Sequence, residues 1–220
     1  MIYLRQETGV QEQIDKGIRI LKDGGVIVFP TDTVYGLGVD AFNLKAVERI
    51  YDIKNRPSQL PFPLLIADIA QLIMVAEPAY GIALFLARRF WPGGLTLVLP
   101  KVVSLPSYLA QGSTVAVRMP NHPVCLSLIR GLGAPVIGTS ANLSGNPSAL
   151  TADEAKQQIG DKVDLVIDGG RCSGGVESTI VDATGGTALV LRQGIIAWHE
   201  IEEAIREYRE SSSDAYSFRL

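Results

Sequence analysis

Residues 26–38 read VIVFPTDTVYGLG, and the change of character inside this stretch sets the fold class. VIVF is short, β-branched and bounded by Gly24-Gly25 and Pro30, as a buried strand is. The PTDTVYGLG that follows is polar and carries glycine, the composition of a loop. Upstream, Val10, Ile14, Ile18 and Leu21 recur at helical spacing, and Gly24-Gly25 ends that helix. The order is helix, strand, polar loop.

The same alternation continues along the chain. A helix over about 44–54 carries Ala46, Val47, Ile50 and Ile53 on one side. LLIA (64–67) reads as a second buried strand, and Asp68 can cap a short helix after it. Residues 79–90 read as a helix ending at WPGG. LTLVL (95–99) and TVAVRM (114–119) are strands, and His122 to Arg130 is a helix. PVIGTSAN (135–142) begins as a strand and ends as a hydroxyl-rich turn. Thr151 to Glu154 is a capping box opening a further helix. DLVID (164–168), STIVD (178–182) and ALVLRQG (188–194) are strands, with a helix at about 198–209. Alternating strands and helices predict an α/β fold. The last two strands follow each other through DATGGTA, so the sheet is predicted to be mixed and twisted, flanked by helices. With no repeat and no dividing linker, a single domain over 1–210 is expected, with a disordered tail over 211–220.

Composition narrows the functional classes. The 220 residues are 47% hydrophobic, enough for a sizeable core, and carry a net charge of −3, which does not favour a general nucleic-acid binder. Two cysteines, Cys125 and Cys172, give no disulfide framework, so a reducing, cytoplasmic compartment is expected. No apolar run approaches a membrane span. The phosphate-loop sequence G-x-x-x-x-G-K-[ST] is absent, Gly36-Leu-Gly38 lacks the rest of a dinucleotide fingerprint, and two scattered histidines and two cysteines give no zinc spacing. His122 and His199 have no evident nucleophile partner.

What remains is a series of polar loops at strand ends, where open α/β sheets bind ligands. Thr31, Asp32, Thr33 and Tyr35 offer three hydroxyls and a carboxylate, although turn chemistry alone explains them equally well. Lys54 and Arg56 flank a helix end. Pro57 biases Arg56 to an extended backbone, and a lysine in a last helical turn is favoured by the dipole. Arg as a bidentate fork and Lys as a point charge are the usual pair for oxyanions. GTSANLSG (138–145) supplies Thr139, Ser140, Asn142 and Ser144 in quick succession. Arg118, inside the strand pattern VAVRMP, wants an anionic partner from protein or ligand. ESTIVD and ALVLRQG add Ser178, Thr179 and Arg192. Together they describe a cleft for a polyanion such as a nucleotide, with chemistry resting on positioning and electrostatics.

In this order, PTDTVYGLG, KNRP, VAVRMPNHP, GTSANLSG, ESTIVD and LRQG resemble the YrdC-like threonylcarbamoyl-AMP synthases, over about residues 10–200. The lysine-x-arginine and serine-x-asparagine pairs, here Lys54/Arg56 and Ser140/Asn142, carry that family's signature. The resemblance implies a twisted α/β sheet with a concave, positively charged face. It implies a nucleotidyltransferase that makes threonylcarbamoyl-adenylate and pyrophosphate from L-threonine, bicarbonate and ATP. The product would pass to a tRNA threonylcarbamoyl transferase complex. By motif, Thr33, Arg118, Gly138 and Ser178 would hold threonine. Arg56, Thr114, Ser140, Asn142, Ser148 and Arg192 would hold ATP. Lys54 and Arg56 would be catalytic, and Mg²⁺ would accompany ATP without a protein metal site. Where some members carry a histidine after the KxRP motif, this chain has the apolar LPFPLLI. The competing readings are an RNA-binding module, a carbamoyl-adenylating relative, and a relative that binds without catalysing; beside the main reading, any RNA binding is expected to be weak.

Overall fold

The computed structural model describes residues 2–55, 61–110 and 112–217, with side chains from residue 9 to residue 211 within those spans. The helices are α1 (Ile2–Lys22), α2 (Leu44–Lys54), α3 (Ile69–Leu72), α4 (Gly81–Phe90), α5 (Pro123–Leu132), α6 (Ala152–Ile159) and α7 (Trp198–Ser217). The strands are β1 (Ile27–Phe29), β2 (Gly36–Asp40), β3 (Leu64–Leu65), β4 (Leu95–Pro100), β5 (Thr114–Arg118), β6 (Val136–Ser140), β7 (Leu165–Val166), β8 (Thr179–Asp182) and β9 (Leu189–Arg192). Among the described residues the nine strands form one sheet in the order β7-β1-β2-β6-β3-β5-β4-β8-β9. β1–β7, β3–β5 and β4–β8 pair in parallel and the other neighbours antiparallel. The mixed α/β sheet read from the sequence is the one observed. No described helix is long and apolar enough to cross a membrane.

Local chemistry sets the element ends. Asn43, Asp68 and Thr151 each accept a backbone N–H from the first turn of the helix they precede, at Ala46, Gln71 and Glu154. Asn55 closes α2 in the left-handed region at φ 47°. Two expectations are corrected. PTDTVYGLG is a loop only as far as Tyr35; Gly36 to Asp40 is strand β2, in register with β1 through Phe29–Gly36 and Ile27–Gly38. Its glycines disguise a strand in which Leu37 and Val39 alternate into the core, continuing from Tyr35 before it. And α7 runs from Trp198 through Ser217, longer than the helix read at about 198–209.

The two faces of the sheet are covered unequally, and this makes the cleft. On one face Val28, Leu37, Leu97, Val117 and Val181 pack under helices α2, α4, α6 and α7. On the other, Ile27, Phe29 and Val136 pack under α1 and α5 through Ile14, Leu21, Cys125 and Leu128. The alternating partners of β4, β5 and β8, namely Thr96, Val98, Ala116, Arg118 and Ile180, line open space instead. Among the described residues, half of one sheet face is therefore left bare, and the polar loops ring it.

Gly38 sits where the backbone of β6 comes closest. A Cβ there would lie 2.7 Å from the Ile137 carbonyl oxygen and 2.7 Å from the Phe29 ring, whereas one at Gly185 meets nothing within 4 Å. We predict that Gly38→Ala lowers unfolding free energy by about 1–3 kcal/mol in urea titration, as overpacking does. Gly185→Ala leaves it unchanged.

Candidate active site

The bare sheet face forms a cleft of about 490 Å³. Its described cations are Lys54 from the end of α2, Arg118 from the end of β5 and Arg192 from β9, and its one described carboxylate is Glu177. Thr31, Thr33, Gly138, Ser140, Asn142 and Ser178 also line it. Arg56 lies outside the described residues.

Arg118 is 6% exposed, and its surroundings answer the question its sequence context raises. Nε donates to Gly93 O at 2.9 Å, Nη1 to Thr33 Oγ1 at 2.9 Å and Nη2 to Asp32 Oδ1 at 2.6 Å. Asp32 also accepts the Asn121 N–H at 3.0 Å. Burial pulls the guanidinium pKa down, and Asp32 opposes that shift. The anionic partner is supplied by the protein. Three of five N–H protons are committed, so two remain for a ligand.

The loop before β2 divides its labour. The Thr31 hydroxyl donates to Val34 O at 2.7 Å and accepts the N–H groups of Thr33 and Val34, which is turn chemistry. The Tyr35 hydroxyl points away from the cleft role offered to it. It donates to Gly170 O at 2.6 Å and accepts the Gly169 N–H. Burial raises its pKa to about 12, so it clamps the 168–177 loop as a neutral phenol.

Lys54 is 4% exposed. Its ammonium donates to Ser140 O at 2.8 Å, Asn142 O at 2.7 Å and Asn142 Oδ1 at 2.7 Å. The Ser140 hydroxyl donates to the same Asn142 Oδ1 at 2.7 Å, and Asn142 Nδ2 donates to Asn146 O at 2.6 Å. The Ser144 hydroxyl donates to Lys54 O. Three members of the expected signature are thus one hydrogen-bonded unit joining the end of α2 to the turn after β6.

The remaining candidates fall in two groups. Ser178 shares a 2.8 Å hydrogen bond with Thr96, and its carbonyl accepts Arg192 Nη2 at 2.8 Å. Gly138 presents backbone to the cleft, because a Cβ there would meet Leu65 Cδ1 at 2.4 Å. Thr114 and Ser148 are not among the lining residues. Thr114 shares the face of Ala116 and Arg118 but starts the strand whose far end reaches the cleft. Ser148 donates to Glu177 Oε1, which, with Arg192 and Lys54 nearby, holds that carboxyl below its usual range. Sequence reasoning passed over Glu177 and Thr96. A threonine of the same parity as Val98 in an apolar strand was the available signal for Thr96, and a carboxylate next to Ser178 for Glu177.

The comparisons bear on this geometry. The profile of the Sua5/YciO/YrdC family, described as "Telomere recombination", matches residues 19–194. A threonylcarbamoyl-AMP synthase of Bacillus subtilis is 44% identical over 88% of this chain and 56% of its own length. A putative threonylcarbamoyl-AMP synthase of Mycobacterium tuberculosis is 39% identical over 88% of this chain and 91% of its own. The structure of Pyrococcus abyssi Sua5 complexed with L-threonine superposes with a TM-score of 0.84 at 41% identity, covering 87% of this chain and 57% of that one. Escherichia coli YciO superposes with a TM-score of 0.77 at 32% identity, covering 85% and 91%. The chain therefore spans little more than half of the Bacillus and Pyrococcus relatives and 91% of the Mycobacterium and Escherichia proteins. On the profile match and these identities, the chain belongs to the Sua5/YciO/YrdC family.

Proposed function

We propose that this chain forms threonylcarbamoyl-adenylate and pyrophosphate from L-threonine, bicarbonate and ATP. The observation that carries the reading is the bare half-face of the sheet, where Arg118 and Arg192 meet the Lys54–Asn142–Ser140 unit in one cleft. It is supported by relatives called threonylcarbamoyl-AMP synthases and by a threonine-bound neighbour.

The described cleft offers no cysteine, histidine or lysine nucleophile for a covalent intermediate, since Lys54 is enclosed and Cys125 is fully buried. Positioning then supplies the catalysis. The threonine amine attacks bicarbonate carbon, a C–N bond forms and water leaves, giving a carbamate. A carbamate oxygen attacks the α-phosphorus of ATP as the α–β bridging bond breaks and pyrophosphate departs. The two uncommitted N–H protons of Arg118 would take the threonine carboxylate, with Thr33, Ser178 and the backbone of Gly138 around it. Arg56 and Arg192 would face the triphosphate and stabilise the charge that grows on the leaving group. Among the described residues no group of three acidic, histidine or cysteine side chains could hold a metal. Glu177, ionised and lining the cleft, suits a Mg²⁺ whose shell is mostly phosphate and water, and that ion would neutralise phosphate charge. We place the reaction in the cytoplasm, with hand-over of the adenylate to a tRNA-modifying transferase.

Pyrophosphate release from ATP and bicarbonate should depend on L-threonine, measured by a coupled phosphate assay. Release without threonine, or none while RNA binds tightly and salt-sensitively, would overturn the reading. Arg118→Lys keeps the charge and loses the fork, so KM for threonine should rise roughly 10–100-fold with little change for ATP. Arg56→Ala should lower the rate at saturating threonine while leaving the thermal unfolding midpoint in place.

A further inference from the structure

The hydrogen bonds around Lys54 fix the direction of the protons that join Lys54, Ser140 and Asn142. An ammonium only donates, so the atom of the Asn142 amide 2.7 Å from it is the oxygen, and Nδ2 turns to Asn146 O at 2.6 Å. That oxygen cannot donate, so the 2.7 Å contact with Ser140 is made by the Ser140 proton. Lys54 meets three oxygens, as many as it has protons. The half-buried Ser140 lines the cleft with its one proton already given away, so its remaining capacity is to accept.

We infer that Lys54 is a positioning residue whose ammonium orients the Asn142 amide, and that Ser140 meets the ligand as a hydrogen-bond acceptor, taking a proton from a ligand hydroxyl or amino group rather than giving one to phosphate. The second half rests on the proposed reading of the cleft as an ATP site; the first does not. The arrangement gives Ser140 a selectivity that a plain phosphate loop lacks. A fully ionised triphosphate offers it no proton, whereas the nucleoside or the amino acid does, so the comparison is made at a pH where tripolyphosphate has lost its last proton.

Isothermal titration of the full chain with ATP, inorganic tripolyphosphate and L-threonine tests the second half. Ser140→Ala should weaken ATP or threonine roughly 3- to 10-fold, one hydrogen bond, and leave tripolyphosphate within about 2-fold. Loss of tripolyphosphate affinity equal to that of ATP, or no loss for any of the three, overturns it. If ATP carries the loss, 2′-deoxy-ATP, 3′-deoxy-ATP and inosine triphosphate identify the donor as the analogue on which Ser140→Ala has no effect. In a Lys54→Met background Ser140→Ala should no longer lower the ratio of ATP to tripolyphosphate affinity. Asn142→Ala should remove the same dependence without deleting a buried charge, which guards against a Lys54→Met chain that does not fold. An undiminished Ser140 effect in both backgrounds overturns the role of Lys54. In the ligand-free protein the Asn142 side-chain amide protons should exchange slowly by NMR and lose that protection in Lys54→Met. Unchanged exchange overturns the orienting role even if wild type binds no ATP, an outcome that would instead refute the ATP reading.

Discussion

The buried cation Arg118 is the constraint around which the cleft is assembled. A guanidinium removed from water must be paired and hydrogen-bonded, or it costs several kcal/mol. Here Asp32, Thr33 and the Gly93 carbonyl meet it, so one side chain ties the loop before β2, the turn after α4 and the end of β5 together. Asp32 in turn holds the Asn121 N–H at the entry to α5. The ion pair is therefore both scaffold and site: the geometry that satisfies the charge also sets which N–H protons still face the cleft.

A second cation does comparable work by another route. Lys54 draws two backbone carbonyls and an amide oxygen of the 140–142 turn toward itself. The turn after β6 is held by a charge from α2 rather than by its own local bonds alone. With the clamp of Tyr35 on Gly170, the loops around the cleft are held by residues distant from them in sequence.

Much of this was legible along the chain. The helical period gave α2 from Leu44 to Lys54, which buries one clean face; short apolar runs bounded by turn residues gave β1, β4 and β5, and the DATGGTA connection gave the mixed sheet. Arg118 stood out as a charge among apolar strand residues, and that anomaly was real. Its partner was not legible, since Asp32 reaches it only through the strand order and reads locally as a turn carboxylate. β2 was hidden for a packing reason: Gly38 looks like loop composition, yet it is a strand glycine against the Ile137 carbonyl. The inward turn of Lys54 depends on how α2 lies beside β6, which no local period records. The same holds for Ser148, whose hydroxyl serves Glu177.

The strand order carries a consequence for how the chain matures. β1 pairs with β7 and β4 with β8, so strands from early in the chain wait for partners made much later. Such long-range pairing slows folding, because loop closure must precede the contacts that reward it. Arg192 stands on β9, the last strand in the chain and one of the two edges of the sheet. On a ribosome, the cleft is incomplete until nearly all of the described sheet has emerged. Binding competence then arrives together with completion of the fold, and a half-made chain has no cleft with which to sequester ligand.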